Sequence, residues 1–263
     1  MIARWWQSLR ERRDARTLAR RPIPDLLWRL TLARFPFLTQ RSPEDLQALR
    51  EMATLFLARK EFSGPPDAPI SDEMAVAVAA QACLPVLRLG LEWYDGFVGI
   101  VIHPDLVTAR RERMDEDGVV HEYDEPLSGE AMEGGPVMLS WRDVADAGDS
   151  AEWGYNVVIH EFAHVLDMRD GIADGVPPFA DRAQRTRWVS VLEAHYLALC
   201  DAVDRGEETL LDPYAAESPE EFFAVASETF FVAPLELRAE LPELYAQLSG
   251  FYRQDPAATI TSR

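Results

Sequence analysis

The stretch that most restricts this chain is residues 154–171, GYNVVIHEFAHVLDMRDG. Val157, Val158, Ile159, Phe162 and Leu166 make a helix here apolar almost all round, and such a helix belongs in an interior. The same helix carries His160, Glu161 and His164. Buried imidazoles and a buried carboxylate need partners. At 100° per residue, positions i and i+4 lie about 40° apart around the axis. Both rings therefore leave one face, a turn apart, as two ligands of one metal ion must. Glu161 sits on the rim beside them, within reach of a metal-held water without ligating the metal itself. The three residues form the H-E-x-x-H pattern, and Gly171 suits the position that closes the helix. His103, His121 and His195 have no such spacing and read as surface or internally satisfied histidines.

A catalytic zinc takes three protein ligands and leaves a position open. The metzincin pattern would put a third histidine six residues after the second. Here Asp167 stands where its glycine should be and Asp170 where its histidine should be, which excludes that class. Asp167 shares a face with His160. It suits a ligand, an acceptor for the far N–H of an imidazole, or a surface salt bridge.

The best supplier of the third ligand is residues 213–231, PYAAESPEEFFAVASETFF. Ser218 with Pro219 behind it marks a helix start. Glu221 is then the N3 residue of a capping box, S-x-x-E, and its carboxylate can serve a backbone N–H instead of a metal. Glu217 precedes the cap, and Glu220 points about 100° away. Glu228 follows Glu221 by seven residues and faces the same way. Periodicity narrows the choice to Glu221 and Glu228 and does not decide between them.

Elsewhere the chain reads as helices to about residue 60, among them one opened by Ser42 and Pro43. A Pro/Gly loop follows at 63–71, then a buried helix ending near Pro85 and Gly90. GFVGIVIHPDLV and GGPVMLSWRDV read as strands, the latter with Val137, Leu139 and Trp141 on one face. The acidic run from Glu112 to Glu133 between them reads as an exposed loop or hairpin. Helices, a few strands, then helices point to one α+β domain over 1–263, of which about 1–70 is a helical N-terminal extension. A net charge of −19 excludes a nucleic-acid binder, whose affinity rests on basic side chains, and disfavours anionic lipid. Cys83 and Cys200 cannot build a disulfide framework and read as small apolar residues in a reducing compartment. With no signal-like or membrane-spanning run, the expectation is a cytoplasmic protein. The Trp/Arg-rich start reads as a mobile or docked helix, with an interfacial membrane helix as the alternative.

HEFAHVLD together with DPYAAESPEEFFAVASETFF resembles the Mlc titration factor A family of bacterial zinc metallopeptidases. The likeness extends to CLPVLRLGLEWYDGF, GPVMLSW and GFYRQDP, and so covers roughly residues 80–256. The catalytic domain of anthrax lethal factor is similar. The resemblance implies a zincin-like fold, one Zn2+ held by His160, His164 and Glu221, and catalysis by Glu161 as general base with Tyr214 donating to the oxyanion. It makes Glu228 a support for a histidine or for the metal from outside. It also implies aminopeptidase-type hydrolysis of peptides and capture of an Mlc-like DNA-binding repressor, which an acidic surface would suit. GPVMLSW becomes the candidate edge strand of the cleft, where a peptide adds as a further strand. Tyr214 otherwise reads as a packing residue in a turn. A repressor-binding module that needs no catalysis is the alternative function, and a closed structural zinc site in a non-enzyme is a third.

Overall fold

Helix starts are written into the sequence as oxygen-bearing caps. Ser42 Oγ accepts from Asp45 N–H at 3.1 Å, Ser71 Oγ from Met74 N–H at 3.2 Å, and Ser218 Oγ from Glu221 N–H at 3.3 Å. Each satisfies one of the N–H groups that a first helical turn leaves without a partner. The structure, a computed structural model, describes residues 2–114, 120–148 and 154–261. The side chains of residues 2–8 and 108–127 lie outside what it describes. The readings of the first tryptophans, of His121 and of exposure along most of the acidic run fall there.

The elements run α1 (Ile2–Arg20), α2 (Asp25–Arg34), α3 (Pro43–Arg59), β1 (Glu61–Ser63), α4 (Asp72–Cys83), β2 (Gly99–His103), β3 (Val107–Met114) and β4 (Val120–Leu127). They continue with β5 (Gly129–Ala131), β6 (Val137–Ser140), α5 (Trp141–Asp146), α6 (Val157–Asp167) and α7 (Arg182–Asp204). Four more helices close the chain: α8 (Pro219–Val232), α9 (Pro234–Glu240), α10 (Pro242–Tyr252) and α11 (Pro256–Thr261). This is a mainly helical α+β fold with a small sheet, as the zincin-like expectation requires. The acidic run begins within β3, which pairs antiparallel with β4. Cys83 and Cys200 are free thiols on α4 and α7.

The four-stranded sheet has the order β1-β2-β6-β5, with β1, β2 and β6 parallel and β5 antiparallel to β6. This corrects one expectation. The strand in GPVMLSW is interior, and the edge is β5, inside the run read as exposed loop or hairpin. The apolar alternation of Val137 and Leu139, both buried, marked a strand covered by neighbours. An edge bordering a cleft has no need of such a pattern. Trp141 falls outside the strand and begins α5.

The core is assembled around α6, which packs against α4, α5, α8, β5 and β6. Phe162, fully buried, meets Tyr94 at 5.0 Å, Phe56 at 5.8 Å and Phe97 at 5.9 Å between ring centroids. These edge-on and tilted arrangements are ones that aromatic pairs favour. Helix α8 is buried without interruption from Phe222 to Val232. Trp28, Leu49 and Phe56 of α2 and α3 belong to the same apolar cluster as Phe223 and Phe251.

Candidate active site

Helix α6 opens at Asn156, whose Oδ1 accepts Ile159 N–H at 2.9 Å while its Nδ2 donates to Gln81 Oε1 at 2.7 Å. Both residues are fully buried, and this polar pair ties the helix start to α4. The helix ends through a short 3-10 turn into Gly171 at φ 89°, a left-handed position that glycine adopts without steric cost. Between these ends His160 and Glu161 are buried and His164 is partly so.

Helix α8 crosses α6 and brings Glu221 to the imidazoles. Its Oε2 lies 3.0 Å from His160 Nε2 and 3.5 Å from His164 Nε2, and the two Nε2 atoms are 3.2 Å apart. Ser218 Oγ already receives the Glu221 backbone N–H, and the carboxylate turns toward the histidines. Glu228, two turns deeper and buried, accepts at Oε1 from His160 Nδ1 at 2.7 Å and at Oε2 from the backbone N–H of Asn156. With a proton on Nδ1, the bare lone pair of His160 sits on Nε2, facing the centre.

Three ligand-type atoms, one each from His160, His164 and Glu221, therefore lie within 4.8 Å of one another, the one such group among the described residues. Glu221 Oε2 is buried and makes no hydrogen bond. A buried carboxylate oxygen aimed at two imidazole nitrogens without a hydrogen bond fits a metal ion as common partner. The electrostatics agree. Burial opposes a charge on His160, yet its carboxylate partners win and raise it well above its ordinary value. Burial likewise opposes ionisation of Glu221, but the two histidines hold its carboxyl at about 2. The centre draws positive charge strongly, whether that charge is a proton or a metal.

Glu161 points along the other flank, against β5. Burial pushes its carboxyl up to about 7, with His160 and His164 pulling the other way. Tyr214 is exposed in the turn before α8, its ring centroid 6.1 Å from that of His160. Asp212 Oδ1 fixes that turn by accepting Tyr214 N–H at 2.9 Å.

Asp167 does none of the three things its position suggested. It is fully buried, its Oδ2 accepts Gly175 N–H at 2.8 Å, and it anchors the loop after α6. The reason is the fold of that loop: Gly175 also offers its carbonyl to Trp188 Nε1 at 2.9 Å, so Asp167 joins α6 to α7. His103 and His195 lie outside the cluster. Sequence reasoning missed Asn156, Gln81 and β5. Asn immediately before the apolar run was a readable cap, and Gln81 was a polar residue within the apolar body of its helix. Nothing in Gly-Glu-Ala signals a strand.

Two histidines of one helix, a glutamate of a second and a small sheet beside them match the layout expected of a zincin-like metallopeptidase. The model of the glucose-regulated metallo-peptidase M90 family matches residues 7–253, and the chain belongs to that family. The match reaches far closer to the N-terminus than the motifs did. Mlc titration factor A of Cronobacter sakazakii is 37% identical over 250 residues, covering 94% of this chain and 92% of the relative. The protein of that name from Edwardsiella ictaluri is 38% identical over 224 residues, 84% and 85% of the two chains. An uncharacterized Synechocystis protein is 37% identical over 255 residues, 95% and 90%. No helix among the described residues is long and apolar enough to cross a membrane.

Proposed function

We propose that the chain is a zinc-dependent aminopeptidase acting on short peptides, with one Zn2+ held by His160, His164 and Glu221. The observation that carries the metal assignment is the convergence of two imidazole Nε2 atoms on the hydrogen-bond-free Oε2 of Glu221. When bound there, zinc supplies a water acidified to about neutral pKa and a Lewis acid for the carbonyl.

The chain's own residues supply the rest. Glu161, raised to about 7, has the basicity to take a proton at neutral pH and return it to the leaving amine. Tyr214 stands beside the imidazoles, where its O–H can donate to the carbonyl oxygen as charge develops there, a bond worth most in the transition state. Edge strand β5 offers backbone groups for an extended peptide. A cavity of about 330 Å³ beyond it, with Trp93, Phe97, Met132, Val165 and Met168 in its lining, gives room for a side chain. Cleavage from the amino end rests on the family resemblance alone. The shared apolar cluster supports reading 1–263 as one peptidase domain, with about 1–70 a helical extension of it. The free thiols Cys83 and Cys200 support a reducing, cytoplasmic setting.

The test is hydrolysis of amino-acid anilides by purified protein, with and without chelator. The reading expects activity that chelation removes, zinc restores and Glu161→Gln abolishes. Activity that survives both chelation and Glu161→Gln would sink it.

The name of the relatives favours a second role. Proteins called Mlc titration factor A suggest that this chain binds an Mlc-like repressor, and a net charge of −19 suits a basic DNA-binding partner. Retention of such a repressor from native extract by Glu161→Gln would make binding separate from hydrolysis. No retention by either form would remove the second role.

A further inference from the structure

Gly129 opens β5 with an ordinary φ, so its backbone does not require glycine. Space does. A Cβ built there overlaps the Glu161 carboxyl group, falling 2.6 Å from Cγ and 2.7 Å from Cδ, with Oε1 closer still. Real contacts of a Cβ stay above 3.0 Å, so something must shift.

The strand is the side that cannot shift. Gly129 pairs with Leu139 of β6, and Ser140 N–H donates to the Ser128 carbonyl at 2.7 Å. The Ser128 side chain is hydrogen-bonded to Tyr155. The Glu161 carboxylate makes no side-chain hydrogen bond among the described residues, so packing and the charges of His160 and His164 set where it lies. The flexible arm therefore yields to the pinned strand.

We propose that Gly129 is a positioning residue for the general base: the missing side chain of the edge strand is the slot in which the Glu161 carboxylate lies. The slot adds a steric wall of strand backbone to the electrostatic pull of His160 and His164 on that carboxylate. It also joins base and peptide-binding edge into one rigid unit. This inference rests on Glu161 being the general base.

Gly129→Ala tests it. A displacement of the base by about 1 Å lowers kcat by about 10- to 100-fold. KM, zinc per chain and the thermal midpoint stay near wild type, because the colliding atoms are the end of one flexible side chain. Gly250→Ala, where an added Cβ meets nothing, keeps full activity. Adding Glu161→Asp to Gly129→Ala shortens the arm by one methylene and recovers part of the lost kcat, although Glu161→Asp alone reduces activity. A crystal structure of Gly129→Ala shows the Glu161 carboxylate moved off the strand.

Wild-type kcat in Gly129→Ala overturns the proposal. So does a loss of zinc or of folding that Glu161→Asp does not relieve. If the wild-type protein hydrolyses no peptide, the general-base reading fails, and the crystal structure still judges the slot: a moved carboxylate supports it and an unmoved one refutes it.

Discussion

Glu221 and Glu228 leave the same face of one helix and meet different partners because of depth. Glu221 stands at the mouth of α8, where Ser218 serves its backbone and the side chain is left to face the imidazoles. Glu228 is buried between His160 Nδ1 and the Asn156 N–H. Removing it frees the tautomer and ring orientation of His160 without removing any of the three proposed ligands. Glu228→Gln should weaken zinc binding by about 10- to 100-fold while still loading one ion at saturation, measurable by competition with a chelating dye. Asp167 gives a second prediction at this scale. Burial raises its carboxyl from 3.8 to about 7, against the pull of the Gly175 N–H. Between those values the folded protein holds a proton that the unfolded chain has released, so this group makes stability fall as pH rises through that window. Asp167→Asn should flatten that part of the profile in denaturant titrations at pH 4, 5.5 and 7. An unchanged slope would show that Asp167 ionises normally in the fold.

At the scale of elements, α6 depends on its first residue. Asn156→Ala removes the cap, worth about 1 kcal/mol. It also leaves the Gln81 carbonyl buried without its donor, worth about 1–3 kcal/mol more. The expected loss, about 2–4 kcal/mol by urea unfolding, is too large for a surface change, and a loss below 0.5 kcal/mol would deny the α4–α6 tie. The same elements show what could be read from sequence. Helices α3 and α8 announced themselves through their N-caps, α4 and α6 through their apolar content, and His160 and His164 through their spacing. Strand β5 did not: three residues, one of them glycine, carry no alternation, and its place is set by pairing with β6. Asp167 was misread for a related reason. Its spacing along α6 put it near the histidines, but its partner is a loop residue whose position only the folded chain supplies.

For the whole molecule, one core supports a centre built from α6 and α8, so an ion held there ties distant parts of the sequence together. A ligand that binds only the folded state adds about 4 kcal/mol at a thousandfold excess over Kd. For a chain of this size that is roughly 8–16 °C in thermal midpoint. Chelation should lower the midpoint by that order and zinc should restore it, with calorimetry as the check. The most direct test of the central claim is zinc content measured beside turnover in two variants. Glu161→Gln should keep one zinc per chain and lose turnover by at least about a hundredfold, whereas Glu221→Ala should lose both. Full zinc loading in Glu221→Ala, or full turnover in Glu161→Gln, would contradict the account.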